Sequence, residues 1–446
     1  MFNKLLEILQ TSNLFITGGG GVGKSYTTQK IIDYYRSNNK TVISLGSTGI
    51  SAVNIGGVTI HSFFCFGICK NIDELKRQDR GKASKERVKR LKEILKNSDL
   101  IVIDEISMVS SELFDMIYYR LINSEFKGRL LVVGDFYQLP PVIKKSDIQD
   151  GNIFYSKYAF SSYSWEHMKF QYVEFLKSKR TKDLEFYEVL SRIRVGDVDS
   201  KVINYISKLL TSKIDDSDNK TVLFGRNKEA EELNKKMLYS LPSNLEIAYG
   251  YYEIFDNTLN KDKLHKWLNS LNVIQNFEFK IGTRVIFTSN KYKNPYNKIS
   301  FFNGEQGIIR NYKKEDGAII SIEVEKNSGE IIDIEPNSYD LGEYELNGNE
   351  VSYNVLASFY QFPLRLAYGI TIHKSQGMSI KNLVCDLNHI FAEGQLYVAL
   401  SRAIDPNTLS IVYSRTESFS TYLKRVIKTS LDVASFYDEE NFLYID

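Results

Sequence analysis

The chain has 446 residues, 43% of them apolar, enough for two to four domains with cores of their own, which excludes a disordered tail. Its 57 Lys and Arg balance 55 Asp and Glu, so any surface for a polyanion has to be local. Three cysteines, Cys65, Cys69 and Cys385, exclude a disulfide framework and give no paired Cys-x-x-Cys zinc site. No window offers the roughly 20 apolar residues that span a bilayer, and Lys4 and Glu7 interrupt the first apolar stretch, unlike a signal peptide. The expectation is a soluble, membrane-free protein of a reducing interior.

In chain order, Leu14–Thr17, Thr41–Leu45, Leu100–Ile103, Leu130–Val133 and Gln171–Phe175 read as short buried strands separated by helices with a polar face. That alternation predicts a parallel α/β sheet. Between the second and third strands, Lys70–Lys96 holds eleven Lys and Arg against five Asp and Glu, with helical spacing from Lys85 to Leu95. It is either an inserted subdomain or a solvated helix face. A second α/β unit begins after Phe175, with a helix at Glu185–Val195, a strand at Thr221–Phe224 and a helix at Lys228–Tyr239. It resumes downstream at Leu383–Leu387, Glu393–Ala403 and Leu409–Tyr413. Between these pieces, about Gly282–Gln361, lie short strands and turns such as Phe302-Asn303-Gly304 and Asn347-Gly348, which predict a small inserted β-barrel.

The strand Leu14–Thr17 runs into Gly18-Gly19-Gly20-Gly21-Val22-Gly23-Lys24-Ser25 and then a helical pattern from Tyr26 to Tyr35. This is the phosphate-binding loop G-x-x-x-x-G-K-[ST] in its strand–loop–helix setting. Its glycines let backbone N–H groups converge on phosphate oxygens at the positive end of the helix. Lys24 would reach the β and γ phosphates and Ser25 would hold Mg²⁺. The strand Leu100–Ile103 ends in Asp104-Glu105, an Asp to anchor Mg²⁺ beside a Glu to activate water. The strand Leu130–Val133 ends in Gly134-Asp135-Phe136-Tyr137-Gln138-Leu139-Pro140-Pro141, where Gln138 is placed to sense the γ-phosphate. No Asn-Lys-x-Asp guanine-reading motif occurs, which argues against a GTPase switch. These residues by themselves establish a Mg²⁺-dependent nucleotide hydrolase.

Further motifs narrow the reading. Ser47-Thr48-Gly49-Ile50-Ser51-Ala52-Val53-Asn54 through Ile60-His61-Ser62-Phe63 resembles motif Ia of the Pif-one family, DNA helicases of superfamily one B related to RecD and Dda. Asp104–Val109 and Gly134–Val142 look like its motifs II and III, and Phe175–Asp183 with Phe186 and Ile193-Arg194-Val195-Gly196 resembles the segment that distinguishes the family, with Thr181 where a Gln is usual. Leu364–Gly377 looks like motif V and Tyr397–Ala403 like motif VI.

The resemblance implies two RecA-like parallel-sheet cores. The first spans 1–62 and 98–175 with a basic wedge insert at 63–97; the second spans 176–245 and 363–446 with an insert at 246–362 carrying an SH3-like barrel. It implies ATP and Mg²⁺ as cofactors, bound by Gly18 to Tyr26 with Gln138 and Gly377, and Mg²⁺ held by Ser25 and Asp104. Glu105, Lys24 and Gln138 are the expected catalytic groups, with Arg180 and Arg402 stabilising charge on the γ-phosphate. Thr48, His61, Phe63, Asn227, Thr371 and His373 are the expected contacts to single-stranded DNA. Relatives place an adenine-reading Gln at a spacing that falls on Met1 here, which leaves Asn3 and Gln10 as substitutes. The resemblance further implies a monomer that moves 5′ to 3′, acts on forked or structured DNA, including G-quadruplexes and RNA–DNA hybrids, and works with single-strand-binding or recombination proteins in the cytoplasm or at a nucleoid. Two alternatives stay open: a strand translocase that needs a partner to unwind, and a nucleotide-controlled DNA clamp.

Overall fold

The structure, a computed structural model, describes residues 1–141, 157–211, 220–271, 273–291, 300–348 and 350–446. Val142, the last residue of the expected motif III, lies outside them.

The first core is one parallel sheet of seven strands. Its chain-order members are β1 (Asn13–Gly18), β2 (Val42–Gly46), β3 (Val58–Thr59), β4 (Leu100–Asp104), β5 (Arg129–Val133) and β6 (Phe170–Phe175), and the strand Phe442–Ile445 completes it. Across the sheet the order is Phe442–Ile445, β6, β1, β5, β4, β2, β3. The runs Leu14–Ile16, Leu100–Ile103 and Leu130–Val133 are fully buried because helices cover both faces, and this is why they are continuous apolar stretches rather than alternating ones. Each such side chain removed from water stabilises the fold by about 1.5–3 kcal/mol.

One boundary differs from expectation. The chain's last segment does not stay with the second core: Phe442–Ile445 pairs in parallel with β6, from Phe442 opposite Tyr172 to Ile445 opposite Phe175. The preceding helix Leu431–Glu439 packs Val433, Phe436 and Tyr437 into the first core's largest apolar cluster, beside Phe15, Phe136 and Trp165. Four residues with one polar neighbour are too short a pattern to announce a strand; its partner edge supplies the reason for it.

The basic segment forms two helices, Ile72–Asp79 and Lys82–Lys96. Their buried residues Leu75, Leu91, Ile94 and Leu95 join that same cluster, so the segment has no core of its own. A bidentate pair between Arg120 and Asp79, at 2.5 and 2.9 Å, pins it down.

The second core is a five-stranded parallel sheet ordered Gly369–Thr371, Thr221–Phe224, Leu383–Asp386, Leu409–Val412, Leu210–Thr211. Inserted in it are antiparallel strands: a five-stranded sheet containing the hairpin Gln306–Glu315 and Ala318–Lys326, a two-stranded pair, and a long hairpin Asn337–Asn347 with Glu350–Gln361. The long hairpin reaches the first core, where Tyr344 Oη accepts a 3.2 Å hydrogen bond from Ser44 N–H and the ring meets Phe63 edge-on at 5.6 Å. Among the described residues, no helix is long and apolar enough to cross a membrane.

Candidate nucleotide site and strand cleft

The phosphate loop leaves the C-terminal end of β1, between β5 and β6, and the Asp104 and Gly134 ends of β4 and β5 open on the same side. This is where a parallel sheet binds its ligand. Gly18 has φ +132°, and a Cβ there would stand 2.4 Å from Phe175 O. At Gly21, φ is +83° and a Cβ would lie 2.5 Å from Arg180 Cβ, so only glycine lets the second core approach this loop. Val22 is buried under the loop and contributes its backbone; Lys24 opens the helix Lys24–Ser37.

A cleft of about 260 Å³ joins Gly20, Gly21, Gly23, Lys24, Ser25, Tyr26, Asp104, Glu105 and Gln138 of the first core to Arg180, Gly377 and Arg402 beyond it. Ten of the expected nucleotide and catalytic positions thus meet at one place with both arginines. Neither Asn3 nor Gln10 lines it, and both are exposed on the N-terminal helix Phe2–Thr11. Lys24 Nζ donates to Gly18 O at 2.6 Å and Gly19 O at 3.0 Å, folded back on its own loop. Burial lowers its pKa, against the pull of Asp135 and Glu105. Tyr26 is exposed at the rim with Lys30 Nζ 4.7 Å over its ring.

The acidic pair sits in strained backbone: Glu105 has φ +55°, uncommon for a residue with a side chain. Its N–H donates to Asp104 Oδ1 at 3.0 Å. Burial, then the adjacent Glu105, pushes the Asp104 carboxyl up to about 7, and burial raises Glu105 as well. Among the described residues no group of three or more His, Cys, Asp or Glu side chains could hold a metal; Ser25 and Asp104 line this cleft, where with the phosphates of a nucleotide they would be available to a cation. That donor set suits Mg²⁺, which keeps several waters and takes few protein ligands.

Arg180 donates to Ser379 Oγ at 2.8 Å and Ser401 O at 2.5 Å; Arg402 donates to Val398 O at 2.9 Å, Ser401 Oγ at 2.9 Å and Ser375 O at 3.4 Å. All these partners are neutral. Burial brings Arg180 down to about 9, with Arg402 adding repulsion, and burial lowers Arg402 too. Two guanidiniums, one buried and one partly buried, whose hydrogen bonds go to neutral groups leave positive charge that suits an anion.

A second cleft of about 360 Å³ shares Ser25, Asp104, Glu105 and Gly377 with the first and brings Thr48 of the first core together with His373, Lys374 and Gln376 of the second. Gln376 Nε2 and Asn303 Oδ1 there are buried and unpartnered. Other expected strand contacts fall elsewhere. His61 and Asn227 are exposed outside this cleft. Phe63 is 8% exposed, packed on Phe64 and Tyr344, and so presents no stacking face. Thr371 is 5% exposed and its hydroxyl accepts from Lys374 N–H at 3.4 Å, capping the turn at His373–Ser375. Both side chains are buried, Phe63 at the end of the helix Ile60–Phe63 and Thr371 at the end of the strand Gly369–Thr371.

Contacts between the cores, around the site but outside the expected positions, also stand out. Tyr397 of the helix Gln395–Leu400 accepts a 2.7 Å hydrogen bond from Gly20 N–H. Lys179 N–H donates to Gly21 O at 2.8 Å. Arg194 bridges Asp135 and Glu174. Their signal lay in the motif strings themselves, which contain Tyr397, Asp135 and Arg194 without declaring what each touches.

Comparison with known proteins decides the family. The ATP-dependent DNA helicase Pif1 of Campylobacter jejuni is 44% identical over 100% of this chain and 99% of its own length. This chain belongs to the PIF1-like helicase family. The family's own profile matches residues 3–204. The ATP-dependent DNA helicase Pif1 of Bdellovibrio bacteriovorus is 31% identical over 91% of this chain and 86% of its own. Among solved structures, Bacteroides sp Pif1 in complex with ADP-AlF4 superposes with a TM-score of 0.80 at 25% identity, covering 98% of this chain and 96% of that one. Bacteroides Pif1 bound to ssDNA does so at 0.63 and 27% identity, over 98% and 96%. The PIF1-like membership fits the two parallel sheets and the arginines that meet the phosphate loop across them.

Proposed function

We propose that this protein is an ATP-dependent DNA helicase that moves 5′ to 3′ along single-stranded DNA and opens forked or structured DNA, G-quadruplexes and RNA–DNA hybrids among them. One observation carries it: Arg402, buried, and Arg180, partly buried, hydrogen-bond to neutral groups and face the Lys24 loop and Asp104–Glu105 across a boundary between two cores. A nucleotide there neutralises the arginines and draws the cores together, and its hydrolysis releases them. Relatives named ATP-dependent DNA helicase, matched over their full length or nearly so, support DNA as the track.

In this reading Lys24 holds the β and γ phosphates, Ser25 and Asp104 hold Mg²⁺, Glu105 takes the proton from the attacking water and Gln138 orients it. Bound Mg²⁺ supplies positive charge to the phosphates. Thr48, His373 and Gln376 line the adjoining cleft and are assigned to the strand; His61 and Asn227, exposed outside it, are assigned to the strand on family resemblance. The polarity rests on family resemblance.

The test is ATP-dependent unwinding of two partial duplexes, one with a 5′ and one with a 3′ single-stranded tail, with Lys24→Ala as control. Unwinding of the 5′-tailed substrate alone establishes the reading. ATP hydrolysis that DNA stimulates, without unwinding of either, replaces it with a partner-dependent translocase; hydrolysis indifferent to DNA replaces it with a clamp.

A further inference from the structure

Arg194 ends the helix Leu184–Arg194, whose Phe186, Val189, Leu190 and Ile193 are packed in the second core's apolar cluster. Its guanidinium crosses to the first core. Nε lies 3.1 Å from each oxygen of Asp135, Nη2 lies 3.0 Å from Oδ1, and Nη1 donates to Glu174 Oε1 at 2.6 Å. Asp135 is fully buried. The guanidinium also stands 4.8 Å from the Tyr137 ring and 5.5 Å from that of Tyr437, two rings stacked on each other at 4.5 Å. Tyr437 Oη shares a 2.6 Å hydrogen bond with Thr17 and accepts one from Phe136 N–H at 3.4 Å. Among the described residues, no other ion pair between the two cores has both partners this deeply buried.

What Arg194 grips is the turn that carries Gln138. Asp135 Oδ1 accepts from Tyr137 N–H at 3.2 Å, Asp135 Oδ2 from Gln138 Nε2 at 3.4 Å, and Asp135 O from Gln138 N–H at 2.9 Å. The second core meets the same turn again at Gly394, where a Cβ would lie 2.6 Å from Tyr137 O and 2.7 Å from Gln138 O. A single stretch of chain links these contacts to the phosphates. Arg180 lies just before the helix and touches the loop, and Arg194 lies at its end.

We propose that Arg194 is a positioning residue that ties the Asp135–Gln138 turn to the second core, so that movement of that core on a DNA strand sets where the Gln138 amide stands over the phosphate loop. The inference rests on the reading of the protein as a DNA-stimulated ATP hydrolase. A guanidinium can grip both oxygens of Asp135 and also Glu174; an ammonium cannot hold that planar fork.

The test compares full-length wild type with Arg194→Lys and Asp135→Asn, measuring ATP hydrolysis with and without a single-stranded oligothymidylate, together with ATP KM and oligonucleotide Kd. For Arg194→Lys the DNA-stimulated kcat falls about 10-fold or more, while the basal rate, KM and Kd stay within about 3-fold. Asp135→Asn, which keeps the size of the side chain, loses stimulation likewise; it carries the test if the lysine variant does not fold. Stimulation ratios equal to wild type in the folded variants overturn the inference and leave the functional reading intact. An equal fall of basal and stimulated rates also overturns it, making the turn part of the chemistry alone. A wild-type rate indifferent to DNA overturns the functional reading and this inference with it.

Discussion

The backbone N–H of Gly20 donates a 2.7 Å hydrogen bond to the phenol of Tyr397, so a donor of the phosphate loop is satisfied by a side chain of the other core. Arriving phosphate has to compete with that phenol. Tyr397→Phe removes the competitor and leaves the amide free, and a neutral hydrogen bond is worth about 0.5–1.5 kcal/mol net. ATP should therefore bind about 3- to 10-fold more tightly to the variant, by titration with a fluorescent nucleotide. Weaker binding would place the phenol on the phosphate itself.

Arg402 is the clearest case of function set against stability. It is 2% exposed and its hydrogen bonds go to neutral groups, so burying its charge costs the resting fold. Arg402→Met should lower kcat by about 10²- to 10³-fold, the scale of losing one charge stabiliser in a dry site, with ATP affinity nearly kept. Its melting temperature should equal or exceed that of wild type. A clear drop in melting temperature with normal turnover would make Arg402 structural.

Lys24→Ala should abolish hydrolysis while single-stranded DNA still binds, since the strand cleft shares Ser25, Asp104, Glu105 and Gly377 with the nucleotide cleft but not Lys24. Hydrolysis at the wild-type rate would remove the loop from the mechanism; fluorescence anisotropy with a labelled oligonucleotide gives the binding arm.

The Asp104 carboxyl, raised to about 7 by burial and by Glu105, predicts a pH dependence in Mg²⁺-free protein. A carboxyl whose folded pKa lies above its ordinary 3.8 favours the fold fully at low pH, and that contribution is lost as pH rises through about 7. Urea midpoints should therefore show wild type losing stability relative to Asp104→Asn between pH 5 and pH 8. A gap that does not change with pH would mean that Asp104 is not the titrating group.

Much of this was legible because the chemistry is local in sequence. A phosphate loop needs its glycines, lysine and serine consecutive, after a strand and before a helix, and Gly18–Ser25 obeys that on paper as in space. The same holds for Asp104–Glu105 at a strand end, and for buried strands such as Leu130–Val133, whose two covered faces demand an unbroken apolar run. Phe63 and Thr371 show the limit, because their motifs identify the segment but not which side chains the packing leaves on the surface.

Only the tertiary structure decided relationships between segments far apart in the chain. The strand Phe442–Ile445 exists because β6 leaves an edge for it, 270 residues upstream, a partner that the local pattern of Phe442–Ile445 does not reveal. Tyr397 finds the Gly20 amide and Arg194 finds Asp135 only when two cores close on one another. Sequence determined which groups this protein can bring to a phosphate, since their types and spacing are covalent facts. Packing decided which of them meet and at what protonation, since burial and neighbouring charge belong to the assembled cores.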